Sequence, residues 1–174
     1  MTNFIDEQLA KTGSILRGNR FKVTVFFPAL ISALKATKEI STFATSTTIP
    51  DKSLGTVEIP AYGGNVVKQP GDVTVPEWSL SMICDKDMLM YRSLLRWKEA
   101  LVSTSTGLRT NDLVLLGGAE VSLLDGLNQT VQSWMLVKIF PTQIGEISLD
   151  KSSRDEFISF DCTFSVNDII TQLI

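Results

Sequence analysis

The chain reads as a mainly β protein: an antiparallel β-sandwich or barrel of about eight strands, one flanking α-helix at about 88–102, and an extended loop and arm. Three observations carry this. Period-two alternation of apolar and polar residues recurs along the chain, most plainly where Ile158, Phe160, Cys162, Phe164 and Val166 alternate with Ser159, Asp161, Thr163 and Ser165. Helical spacing of three and four is clear only in 88–102. Strands do not alternate with helices, so the sheet should be antiparallel, with the helix on its flank. The 174 residues suit a single domain, 1–174.

In chain order, residues 1–19 contain Gly13 and Gly18 and only weak helical periodicity, which predicts an arm ordered by something outside its own fold. Phe21, Val23, Val25 and Phe27 alternate with Arg20, Lys22 and Thr24, a strand that Pro28 ends. Residues 29–38 suit a short helical turn. Residues 39–49, rich in Ser and Thr, read as a strand closed by Pro50-Asp51. Gly55, Pro60, Gly63, Gly64, Pro70 and Gly71 then punctuate two short runs, giving an extended hairpin loop at 51–72.

Val73 to Cys84 reads as one long strand, with Trp78, Leu80, Met82 and Cys84 on one side and Glu77, Ser79 and Ser81 on the other. Asp85 or Asp87 supplies the short acceptor expected at a helix N-cap. In the helix, Met90, Leu94, Trp97 and Leu101 form an apolar stripe that should pack on the sheet, while Arg92, Lys98 and Glu99 face solvent. After a polar loop at 103–111, strands are expected near 113–116 and 119–124. A longer strand at 130–140 is apolar on both sides and should be covered on both. A shorter run at 145–149 and a turn lead to the last alternating strand. The expected core includes Trp78, Leu94, Trp97, Phe160 and Phe164.

The composition excludes most chemistry. The chain has no histidine, so Ser-His-Asp and Cys-His devices are impossible. The two cysteines, Cys84 and Cys162, lack zinc-ligand spacing and fall on inward strand faces, where buried free thiols are expected. Gly63-Gly64 and Gly117-Gly118 lack the spacing of phosphate-binding loops. No catalytic residue, metal site or cofactor is expected. A net charge of −3 argues against gripping nucleic acid, which needs clustered cations, but suits a surface that nucleic acid slides past. No run approaches the ~18 apolar residues of a membrane span. Asp6 and Glu7 stand where a secretory signal carries basic residues, which predicts a cytoplasmic protein.

The order of the signals carries a resemblance. A strand opened by Asn19-Arg20-Phe21 precedes Thr48-Ile49-Pro50 and the punctuated hairpin from Ile59 to Gly71. Next come the strand Trp78–Cys84, an acidic junction and a helix built around Arg92 and Arg96-Trp97. Ile139-Phe140-Pro141, then Ile144 to Leu149, precede the alternating terminal strand. From about residue 19 to 168 this resembles the tail-tube proteins of contractile-tailed bacteriophages, in the superfamily that includes type VI secretion tubes.

That resemblance implies a non-enzymatic virion protein, assembled in the host cytoplasm, that forms hexameric rings stacked into the inner tail tube. Its implied partners are further copies of itself and the sheath, baseplate, tape-measure and tail-terminator proteins. DNA would pass through the lumen without sequence-specific binding. A polar, mildly acidic strand face is expected to line the channel, with Glu77, Ser79, Ser81, Ser159, Asp161, Thr163 and Ser165 as candidates. The arm, through Phe4 and Ile5, and the hairpin, through Ile59, Tyr62, Asn65 and Lys68, are candidates for ring stacking. Two alternatives share the fold: a tube-initiating baseplate subunit, and a type VI secretion or bacteriocin tube protein. A third, of another class, is a monomeric small-ligand-binding β-barrel protein.

Overall fold

The computed structural model describes residues 16–31, 40–102, 115–150 and 157–173. Nine strands fall within them: β1 (Phe21–Phe26), β2 (Ala44–Thr47), β3 (Ser53–Pro60), β4 (Val66–Thr74), β5 (Trp78–Ile83), β6 (Gly117–Leu124), β7 (Thr130–Ile144), β8 (Ser159–Ser165) and β9 (Asp168–Leu173). One long helix, α1 (Leu89–Leu101), lies between β5 and β6. Seven strands form a continuous sheet in the order β1-β6-β7-β8-β5-β2, with β9 also paired to β7, and β3 and β4 form a separate hairpin. All the strand pairs are antiparallel.

The sheet becomes a sandwich because β7 belongs to two layers. Its first part pairs with β6 and β9, and its end pairs with β8. The register with β6 skips at Lys138, which sits at φ 54°. This left-handed backbone costs a lysine about 1–2 kcal/mol, and it turns the strand from one layer into the other. The first layer is therefore β1-β6-β7-β9, and the second is β2-β5-β8 with the end of β7.

Between the layers lies one core. Val23, Val25, Ala119, Val121 and Leu136 from the first layer meet Trp78, Leu80, Met82, Phe160, Cys162 and Phe164 from the second. Helix α1 closes its side with Met90, Leu94 and Trp97, all fully buried. Trp97 stands 5.3 Å from the Phe27 ring and 6.1 Å from the Phe164 ring, and its Nε1–H donates to the Leu115 carbonyl at 2.8 Å. A Cβ on Gly117 would come within 2.5 Å of the Trp97 ring and of the Phe26 carbonyl, so only glycine fits where β6 passes under the helix. Burying each such large apolar side chain contributes about 1.5–3 kcal/mol.

Several boundaries differ from the sequence reading. Residues 40–43 are helical, leaving only Ala44–Thr47 as strand. The long strand expected from Val73 to Cys84 is two strands, because Pro76, which lacks an N–H, interrupts it: Val73 belongs to β4 and β5 begins at Trp78. The run 145–149 forms no strand, and β9 is additional. Within one subunit, strand β7 is not covered on both sides. The bend at Lys138 sends Ile139 into the core, while Val131 is 39% exposed. The cap of α1 also differs. The N-cap residue is Met88, and Asp85 acts from further back, its Oδ1 accepting the Leu89 N–H at 3.0 Å. Residues 1–15 of the arm at 1–19, with Phe4 and Ile5, lie outside the described residues, as do 113–114 of the strand expected there.

Candidate functional site

The outer face of the second layer is a sheet of hydroxyls. In the antiparallel register of β5 and β8, Ser79 lies opposite Thr163 and Ser81 opposite Asp161. Two polar faces far apart in sequence thus become one. Trp78, Leu80 and Met82 on β5, with Phe160, Cys162 and Phe164 on β8, point the other way and are buried. The Ser81 hydroxyl donates to Asp161 Oδ1 at 2.6 Å, tying the two strands together on their outer side. Ser159 is exposed, Thr163 and Ser165 are half-buried, and Glu77 is exposed just before β5.

Neighbouring strands extend this face. Ser46 on β2 lies opposite Ser81, and Gln143 on β7 lies opposite Thr163. Sequence reasoning missed both. Ser46 sits in a Ser/Thr run without alternation, and Gln143 stands two residues after Pro141, where the register with β8 skips. Thr45 and Thr47 hydroxyls donate to the Ser81 and Ser79 carbonyls at 3.1 and 3.2 Å, which binds the short edge strand β2 to β5. Apolar side chains interrupt the face only near its ends, at Ile83 and Phe140, and no Lys or Arg stands on its β5 or β8 positions.

The β3–β4 hairpin projects from the body with every residue exposed except Gly71. Ile59 and Tyr62, 42% and 103% exposed, and Asn65 and Lys68 all lie on it. Its turn, Tyr62–Gly64, needs φ near 80° at both Gly63 and Gly64. The pairing gives the hairpin two unlike faces. Val57, Ile59, Val67 and Gln69 share one; Thr56, Glu58, Pro60, Val66, Lys68 and Pro70 share the other, where Lys68 Nζ meets Glu58 at 3.3 Å. At its base, Lys52 Nζ lies 2.6 Å from Asp168 at the head of β9. The hydrogen bonds from Lys52 and from the Ile169 N–H hold the Asp168 carboxyl below its ordinary value.

The rest of the molecule offers little chemistry. A cleft of about 510 Å³ opens at one mouth of the sandwich, lined by Phe21, Thr47, Val121, Leu123 and Trp134 among others, with no titratable side chain in its wall. Both cysteines are free. Burial pushes the Cys162 thiol up to about 12, and burial with the nearby Asp85 carboxylate raises Cys84, so neither forms a ready thiolate. No group of three metal-ligating side chains occurs among the described residues. No helix among them is long and apolar enough to cross a membrane.

Comparison with known proteins gives this geometry a family. A family model described as "Phage tail tube protein" matches residues 16–172. The chain is 25% identical to the tail tube protein of Serratia phage KSP90 over 155 residues, covering 88% of this chain and 87% of that one. Among solved structures, a chain of the tube-terminating cap of the anti-feeding prophage superposes with a TM-score of 0.68 at 20% identity, covering 92% of each chain. A chain of the sheath–tube complex of an extracellular contractile injection system, PVC, superposes with a TM-score of 0.66 at 20% identity over 100% of both. These two likenesses show a shared fold. The family match, spanning nearly all the described sandwich, shows more: the chain belongs to the phage tail tube protein family.

Proposed function

We propose that this tail tube protein builds hexameric rings in which the outer face of the second layer, centred on Ser79, Ser81, Asp161 and Thr163, lines the channel, and that the β3–β4 hairpin joins ring to ring. The observation that carries the channel assignment is the composition of that face: hydroxyls and a carboxylate brought together by the β5–β8 register, with no cation on either strand. Hydroxyls keep a wall wetted, and a sparse negative charge repels phosphate, so nucleic acid moves past without being held. Glu77, Ser159 and Ser165 extend the same wall at its margins. Sheath, baseplate, tape-measure and terminator proteins are the further partners of such a tube, and assembly takes place in the host cytoplasm. The chain has a structural role and catalyses nothing.

Thiol labelling tests the channel assignment. In a Cys84→Ser background, T163C in assembled tubes should react with a small maleimide and resist one carrying a bulky polymer, while the free subunit reacts with both. Equal reaction with the bulky reagent in the tube places the face outside and overturns the assignment, and reaction with neither reagent buries it between subunits. Electron microscopy of the purified chain separates the main tube protein from a tube initiator: elongating tubes support the former, and single rings under every condition contradict it.

A further inference from the structure

The outer face of the first layer is unlike that of the second. Opposed residues place Phe26, Gly118, Val137 and, on β9, Asp168 in one row, and Thr24, Glu120, Met135 and Ile170 in the next, so that an apolar patch of Phe26, Val137, Met135 and Ile170 lies among polar neighbours. Phe26 is 45% exposed and Ile170 47%, with Met135 and Val137 half-buried between them. The hairpin carries a second uncovered apolar surface, where Val57, Ile59 and Val67 are 51%, 42% and 50% exposed. A two-stranded hairpin is marginal in water without something packed on its face. Neither surface covers the other within one subunit, since both are exposed.

Resting on the reading that the hairpin joins rings, we propose its receiver: the outer face of the first layer of a second copy, with Val57, Ile59 and Val67 seated on Phe26, Met135, Val137 and Ile170. A second copy is the occupant because a tube subunit meets its own kind at each repeat, and two different uncovered patches on one chain make a head-to-tail contact that extends without closing. One face of strands of 8 and 9 residues makes a contact smaller than the roughly 20–30 residues a side of a standard interface, and its repetition around each ring multiplies it. At ~3.4 Å per residue, the hairpin spans the ~19 Å width of a four-stranded layer whose strands lie ~4.8 Å apart. The polar complement also matches: Gln69 on the hairpin face brings amide donors, and Glu120 on the receiving face brings a carboxylate.

Disulfide trapping tests this. In a Cys84→Ser background, tubes of an I59C/I170C double variant are oxidised and run on a non-reducing gel. A ladder running from dimers to long multimers is expected, with each single variant remaining monomeric. Tubes without a ladder overturn the receiver while leaving the hairpin's stacking role intact. A product stopping at dimer, or linkage by I59C alone, also overturns it, because either means a self-paired contact. The separate reading that the hairpin stacks rings is checked by I59D, which should leave rings but no tubes; tubes undiminished by I59D overturn that reading. I170D should block tubes in the same way while its thermal melting stays within a few degrees of wild type, as both positions are surface residues. A tube in which I170C still reacts freely with a small maleimide leaves the first layer uncovered, for another protein, and overturns the proposal.

Discussion

The two outer faces of this sandwich are built alike and differ in chemistry. Each belongs to a layer whose inner side is packed with aliphatic and aromatic residues, and each strand alternates between the two sides. The second layer shows Ser79, Ser81, Asp161 and Thr163 to solvent, whereas the first sets an apolar patch of Phe26, Met135, Val137 and Ile170 among Lys22, Thr24, Glu120 and Asp168. Folding needs only the inner faces, so the outer faces are free to specialise. An outer face that stays wet in the assembly keeps hydroxyls, and one that is covered in the assembly keeps apolar groups. The contrast between faces therefore says more about the tube than does the fold itself.

The largest expected effect lies where the two layers are joined, not on either face. W97A removes the ring packed between Phe27, Phe164 and Gly117, and should cost about 3–5 kcal/mol in urea unfolding. A cost below about 1 kcal/mol would mean that α1 does not couple the layers. Next comes a change that tests the wet face by its charge. T163K should leave tube assembly unchanged but slow genome passage, measured as DNA release, because a repeated cation on the wall binds phosphate. Unchanged release alongside normal assembly would remove this face from the channel.

A smaller effect is expected from D161N, which weakens the acceptor of the Ser81 hydroxyl. It should lower subunit stability by about 1 kcal/mol or less, read from the urea midpoint. The smallest effect concerns the hairpin's base. Asp168 has its carboxyl lowered from 3.8 by its bonds to Lys52 and the Ile169 N–H. The pair's contribution is therefore complete above that value and is lost as the pH falls from it through the lowered pKa. A spin-label distance between positions 62 and 127 should be narrow at neutral pH and broaden only in strong acid. D168N should broaden it at every pH. A wild-type distance insensitive to acid would show that the ion pair does not set the hairpin's direction.

Much of this was legible in the sequence because the physics is local. The alternation in β8 and the stripe of α1 are properties of a dozen residues each, and both stand where the spacing put them. The polar sides of β5 and β8 were likewise readable one at a time. Their union was not, since Ser81 and Asp161 meet through a strand pairing across 80 positions. The bend at Lys138 is hidden for another reason: lysine carries no signal for a left-handed backbone, so the phase of β7 reads as continuous in the sequence where it changes. β9 was missed because Ile169 and Ile170, adjacent in sequence, break the alternation. One is buried against Leu136 and the other exposed beside Met135. The split between β4 and β5 was readable, as Pro76 stood in plain view.

The assignment of the hydroxyl face of the second layer to the channel wall is open to direct observation. A cryo-EM reconstruction of tubes assembled from the purified chain tests it most directly. Ser79, Ser81, Asp161 and Thr163 should stand on the lumen surface of every subunit, with the Phe26–Ile170 face covered by protein. Those four side chains on the outside of the tube, or buried between subunits, would contradict it.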